Sequence, residues 1–337
     1  MRGLPRNSPY RLLLPAVGID RDRVFPEFAP RSFLETAPDV VPAQESTGSG
    51  RKRDASCSSA APDAQDGPAS ARRVALFVGC AANLIYPESA RAVVSALVGS
   101  GVEVVIPKEQ GCCGTPVFNS GDFVTAREMA RRNIEVLRAS GADAVVTACA
   151  SCGLTLKREY EELLGIEGGL GMPVYDLTEF LAGRLDSGEP HVPDKVAHKP
   201  DDSPVRRVRV AYHDPCHLVR GQGISEEPRA LLRSLPWVEY VEMRDADRCC
   251  GCGGSFSLTH YDIAKAIGQH KVEAIRDADV DVVATECQAC VMQLTDMLAQ
   301  AGIDVSVFSV AELLAHGPRA AEGQPPAGQQ KRDAERA

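Results

Sequence analysis

Ten of the chain's twelve cysteines fall into two sets with one internal spacing. Cys80 lies 32 residues before the adjacent Cys112 and Cys113, and Cys149 and Cys152 follow as a C-x-x-C. Cys216 lies 33 residues before Cys249 and Cys250, and Cys287 and Cys290 close the second set. From pair to C-x-x-C the gaps are 36 and 37 residues. Thiolates are soft donors that select zinc and iron–sulfur clusters. A zinc ion closes its shell with four ligands, so five cysteines per set exceed what it needs. A cluster contains several irons, each taking its own thiolate, so adjacent cysteines can serve different metal atoms. This chemistry favours iron–sulfur, leaves zinc open and puts disulfides last. With 337 residues, 44% of them hydrophobic, the chain can bury a core without cross-links. Cys57 lies in a Ser/Ala/Pro-rich stretch and reads as an unliganded thiol. Cys252 falls where the first set has Thr115 and reads as replaceable.

The elements that must position these thiols repeat in the same order. RVALFVG (73–79) is a short apolar run of the kind that forms a buried strand. Pro87 then opens a helical pattern stopped by Gly99 and Gly101. VEVVIP and DAVVTA are further strands. Between them DFVTAREMARRNIEVLRASG is a helix with Ala126, Met129, Ile134 and Leu137 on one stripe, and CASCGLTLKREYEELLG is the next helix. The second copy runs VRVAYH, PRALLRSL, WVEYVEM, YDIAKAIGQHKVEAIRDA, VDVVATE and QACVMQLTDMLAQAG, and VYDLTEFLA aligns with VFSVAELLA. The chain is thus an internal duplication of the α/β class: two homologous copies, each with a mainly parallel sheet and its cysteines at the carboxyl ends of strands. Ligands bind at that edge of open α/β sheets. The expected domains are a mostly disordered segment over 1–72, a first cysteine-rich domain over 73–183, a linker over 184–207, a second domain over 208–316 and a loose tail over 317–337.

Composition excludes several classes. A net charge of −9 argues against nucleic-acid binding, and the longest apolar runs fall far short of the ~18 residues that cross a bilayer. The amino terminus does not read as a secretory signal, so a cytoplasmic location is expected, where clustered cysteines bind metal or carry redox chemistry.

GCAANLIYP, EQGCCGTPVFNSGD and ACASCGLTLKREYEELL, with YHDPCHLVRGQGISEEPRALL, RCCGCGGSFSLTHYD and TECQACVMQL, resemble the CCG-type cysteine-rich domain family over about 73–316. That family includes the catalytic subunits of heterodisulfide reductase and the iron–sulfur subunits of glycolate oxidase, lactate utilisation and anaerobic glycerol-3-phosphate dehydrogenase systems. The resemblance implies one 4Fe-4S cluster per copy, with zinc an option at one site. Its ligands are Cys80, Cys112, Cys113, Cys149 and Cys152 for the first and Cys216, Cys249, Cys250, Cys287 and Cys290 for the second. It implies electron transfer within an oxidoreductase. The partners would be a flavin-containing dehydrogenase subunit oxidising lactate, glycolate or a similar 2-hydroxy acid, and a ferredoxin-like protein or domain; a membrane is reached only through a partner. Many members begin with a ferredoxin domain that residues 1–72 do not resemble, although GIDRDRVFPEFAPRSF is similar to the linker that follows it. Two rivals stand beside this reading: a heterodisulfide-reductase-like catalytic subunit and a zinc-stabilised interaction module. No catalytic residue is assigned. His213 and His217 read as structural neighbours of Cys216, Asp214-Pro215 as a turn, and REMARRNIEVLR as a solvated helix face.

Overall fold

The central strands are buried almost throughout, so both faces of each sheet are covered. In this computed structural model, which describes residues 23–44, 67–186 and 207–320, nine strands form two sheets. They are β1 (Val40–Val41), β2 (Arg73–Leu76), β3 (Glu103–Val105), β4 (Ala144–Thr147), β5 (Val174–Asp176), β6 (Val208–Tyr212), β7 (Val238–Tyr240), β8 (Val282–Ala284) and β9 (Ser306–Phe308). The first sheet runs β1-β3-β2-β4-β5 and the second β7-β6-β8-β9. Without β1 the two orders are the same, and every pair in them is parallel. In each copy the chain reverses direction across the sheet beside the first strand, which makes that strand's carboxyl end a crevice.

Side chains of period two divide between cores. Val74 and Leu76 of β2, Val210 and Tyr212 of β6, and Val282 and Ala284 of β8 enter one central core, whereas Ala75 enters one outer core and Ala211 and Val283 another. The central layer holds four helices, and they meet reciprocally: Pro87–Gly99 lies on Val310–His316, and Leu177–Asp186 on Glu226–Ser234. The helix that leads into the second strand of each repeat therefore packs on the last helix of the other, as in an isologous, two-fold interface. Ser89 Oγ and Ser309 Oγ, 3.0 Å apart, mark the seam. Leu97, Leu231 and Leu313 are fully buried there, each contributing about 1.5–3 kcal/mol.

The segment expected to be irregular is ordered where it is described. Arg23 donates to Ser257 and Val24 N donates to Asp296 Oδ1 in the second copy. The chain then crosses to the first copy, forms the capped turn Phe33–Thr36 and adds β1 antiparallel to β3. Two strand residues and one helical turn are too short to leave periodicity, which is why this strap is not legible in the sequence. At the other boundary the helix Leu177–Asp186 runs past residue 183, with Arg184 buried against the Ser100 carbonyl. Cys57, the remaining linker residues 187–206 and the tail from 321 lie outside the described residues. Among those described, no helix is long and apolar enough to cross a membrane.

Candidate metal centre

Each thiol is delivered by the element its position in sequence demands. Cys80 opens the helix Gly79–Leu84 just after β2, and Cys216 opens Cys216–Gln222 just after β6. Cys149 and Cys287 cap the helices Ala150–Leu154 and Gln288–Ala301 in extended conformation, placing Cys152 and Cys290 in their first turns. The adjacent pairs end in Gly114 and Gly251, with φ of 97° and 91°. A Cβ at Gly251 would lie 2.2 Å from the Ala264 carbonyl, so only glycine lets this turn rest on the following helix.

All ten predicted ligands line a single cavity of about 190 Å3 between the two copies. Cys250 Sγ and Cys290 Sγ are 3.4 Å apart. The two C-x-x-C turns abut at the two-fold seam. Ala150 N donates to the Glu286 carbonyl (2.8 Å), Gln288 Nε2 to the Ala148 carbonyl (2.9 Å) and Gln222 Nε2 to the Ala150 carbonyl (2.9 Å). Ser151 of the first copy bridges towards the second, 2.9 Å from His217 Nδ1 and 3.9 Å from Cys287 Sγ. One shared chamber, rather than two separate sites, is what the spacing alone does not reveal.

The polar surroundings differ from the sequence expectation in places. Asp214 is not merely a turn residue: it is buried and held bidentately by Arg229 Nη1 (2.8 Å) and Nη2 (2.6 Å), which pins the loop leading to Cys216. Met129 is half-buried, and Ala130 takes its place on the buried stripe of Phe123–Arg138. The helix predicted from Cys149 onward breaks into Ala150–Leu154, a π-turn over Thr155–Glu159 and Tyr160–Glu162. Within it the Thr155 hydroxyl meets Thr115 Oγ1 (2.6 Å) and Glu159 Oε2 (2.5 Å), and Thr115 Oγ1 lies 3.1 Å from Cys113 Sγ. Cys252, aligned with Thr115, lines the same cavity, with its sulfur 3.9 Å from Ser257 Oγ. Lys271 is a neighbour that its sequence context hides: fully buried, it donates to the Asp245 and Ala246 carbonyls. Aligning the two copies would have exposed it opposite Asn133.

Packing thiols together splits their acidities. Donation from Cys113 and Cys80, with the Gly114 N–H, holds the Cys112 thiol well below the usual range. Cys216, Cys250 and the Gly251 N–H at 3.3 Å do the same for Cys249. Cys80 and Cys216 are pushed up in turn, because each gives its hydrogen to that neighbouring thiolate. Burial pushes the His213 imidazole down to about 3, which leaves it neutral. The thiolate is the nucleophile, so in metal-free protein at neutral pH iodoacetamide is expected to modify Cys112 and Cys249 first. Cys80 should follow despite its greater exposure. Mass spectrometry of a labelling time course reads the order; fastest modification at Cys80 would show exposure, not acidity, in control.

The donor set fits a sulfur-rich metal group. The eleven described cysteines are free thiols gathered without a disulfide, and His213 is buried with both ring nitrogens unpartnered. Ligand atoms of His213, Cys250 and Cys290 lie within 4.8 Å of one another.

The model of the cysteine-rich CCG domain matches residues 74–157 and again 210–295. One of the subunits of the fumarate reductase (CoM/CoB) of Methanothermobacter marburgensis is 38% identical over 243 residues, 72% of this chain and 46% of that protein. One of the subunits of the dihydromethanophenazine:CoB–CoM heterodisulfide reductase of Methanosarcina barkeri is 32% identical over 72% of this chain and 58% of its own length. The chain thus spans about half the length of these relatives. Lactate utilization protein A of Halalkalibacterium halodurans is 30% identical over 74% of this chain and is matched over 99% of its length. With two matched copies, ten cysteines in register and a relative matched end to end, the chain belongs to the cysteine-rich CCG domain family.

Proposed function

We propose that this chain is an iron–sulfur electron-transfer subunit of a multisubunit oxidoreductase. The observation that carries the reading is the convergence of ten cysteines on one chamber at the carboxyl ends of two parallel sheets. Cys80, Cys112, Cys113, Cys149 and Cys152 would hold one 4Fe-4S cluster, and Cys216, Cys249, Cys250, Cys287 and Cys290 the other. Bound there, such clusters supply one-electron chemistry at potentials set by burial and by hydrogen bonds to sulfur. The protein's part is to keep both sets adjacent. The seam formed by Ala150, Glu286, Gln288 and Ala148 fixes their separation. The low-lying Cys112, Cys249 and Cys287 thiols are already poised to ligate, while the other predicted ligands release protons as metal enters.

The match to lactate utilization protein A over nearly its whole length favours lactate or a similar 2-hydroxy acid as the electron source; by the family resemblance the donor would be a flavin-containing dehydrogenase and the acceptor a ferredoxin-like protein, a quinone or a disulfide. Lactate or glycolate added to the chain together with its flavin partner should bleach the visible absorbance of the metal-loaded protein. Bleaching by dithionite but not by the substrate and partner would overturn the donor assignment. The heterodisulfide-reductase-like alternative predicts instead that chemically reduced chain alone cleaves an added disulfide.

A further inference from the structure

We propose that His213 donates a hydrogen bond to sulfur at the second centre and gives that centre a more positive reduction potential than the first. The inference rests on the iron–sulfur reading above and goes beyond it, because it makes the two repeats functionally unequal.

The two copies can be compared position by position. His213 N donates to the Ala284 carbonyl at 2.9 Å, as Phe77 N donates to the Val146 carbonyl at 2.9 Å, so the two residues occupy the same station beside the first strand of each sheet. One side chain is a phenyl ring and the other an imidazole. His213 is 1% exposed, and neither ring nitrogen has a hydrogen-bond partner. The nearby Ala246 carbonyl already accepts from Asp214 N and Lys271 Nζ. A buried donor left unmet is costly, so a histidine kept here needs an acceptor. Besides that carbonyl, whose lone pairs those two donors already use, the sulfurs of Cys250 and Cys290 lie within 4.8 Å of the ring.

A second difference has the same sign. Ala126 approaches Gly114 as Ala264 approaches Gly251, which equates the two helices that follow the cysteine pairs. On them Asn133 in the first copy, an amide bonded to Gly111 N and the Cys112 carbonyl, corresponds to the buried ammonium of Lys271 in the second. A reduced centre carries one more negative charge, and N–H donors and nearby cations stabilise it. At these two stations the second copy has an imidazole N–H and an ammonium where the first has a phenyl ring and a neutral amide, and an electron entering the chamber would settle on the second centre.

The test is an EPR-monitored redox titration of the anaerobically prepared full chain, with iron and sulfide measured on each sample. Wild type should show two waves. His213→Phe, which copies the first repeat, should move only the more positive wave to lower potential at unchanged iron and sulfide. His213→Gln, which keeps an N–H donor, should hold that wave near its wild-type position. The reciprocal Phe77→His should raise the lower wave, and it remains informative if His213→Phe folds poorly. Unmoved waves in both His213→Phe and Phe77→His would overturn the proposal. So would loss of iron from one centre in both His213 variants, which would make His213 a ligand. Wild-type protein without iron and sulfide would instead remove the reading on which the inference rests.

Discussion

Cys250→Ser is expected to remove about half of the bound iron and acid-labile sulfide, whereas Cys252→Ser leaves both unchanged. The two sulfurs lie two residues apart and line the same cavity, so proximity alone does not separate them. Their partners do. Cys250 Sγ sits 3.4 Å from Cys290 Sγ within the repeated five-cysteine set, while Cys252 Sγ lies 3.9 Å from Ser257 Oγ and also meets the Gly254 backbone. Its counterpart in the first copy is Thr115, a hydroxyl beside Cys113. Metal analysis and EPR of the two variants, with Cys113→Ser as the matching loss in the first copy, give the comparison. Loss of iron from Cys252→Ser would show that the second centre uses a ligand the first one lacks.

The second large effect is on stability. Gly251→Ala should lower unfolding stability by about 2–4 kcal/mol, because the left-handed conformation is penalised and a new Cβ would drive into the helix backbone. That Cβ would lie 2.2 Å from the Ala264 carbonyl and 3.1 Å from Gly268 N. Gly114→Ala at the equivalent turn meets nothing closer than the Ala126 carbonyl at 3.7 Å. It should cost only the conformational penalty, about 1–2 kcal/mol. Urea unfolding of samples with matched metal content distinguishes the two, and equal losses would mean that the clash at Gly251 is relieved by a shift of the helix Tyr261–Ala278.

The duplication was legible because chemistry repeated it. Five cysteines in step, with strands such as RVAL and VRVAY ahead of them, locate both sheets and put every thiol at a carboxyl edge. The merging of two edges into one chamber was not legible. It depends on reciprocal packing of Pro87–Gly99 on Val310–His316 and Leu177–Asp186 on Glu226–Ser234, and apolar periodicity reports that a face is buried without naming its partner. Single-residue roles failed for a related reason. Asp214 before Pro215 has the local pattern of a turn, yet a guanidinium fifteen residues away makes it a buried anchor. The π-helical stretch over Thr155–Glu159 interrupts the α pattern of an otherwise continuous helix where Thr155 meets Thr115, forty residues distant, a contact that local sequence does not report. The strap over residues 23–44 is held by polar contacts of Arg23 and Val24, by the buried Phe33 and by β1 pairing with β3, none of which leaves a periodic apolar face.

Metal and acid-labile sulfide analysis of anaerobically purified full-length chain, paired with its visible spectrum, tests the central claim most directly. The account predicts brown protein with a broad visible absorbance and about eight irons with comparable sulfide per chain, as two four-iron clusters require. Colourless protein carrying zinc and no sulfide would contradict it.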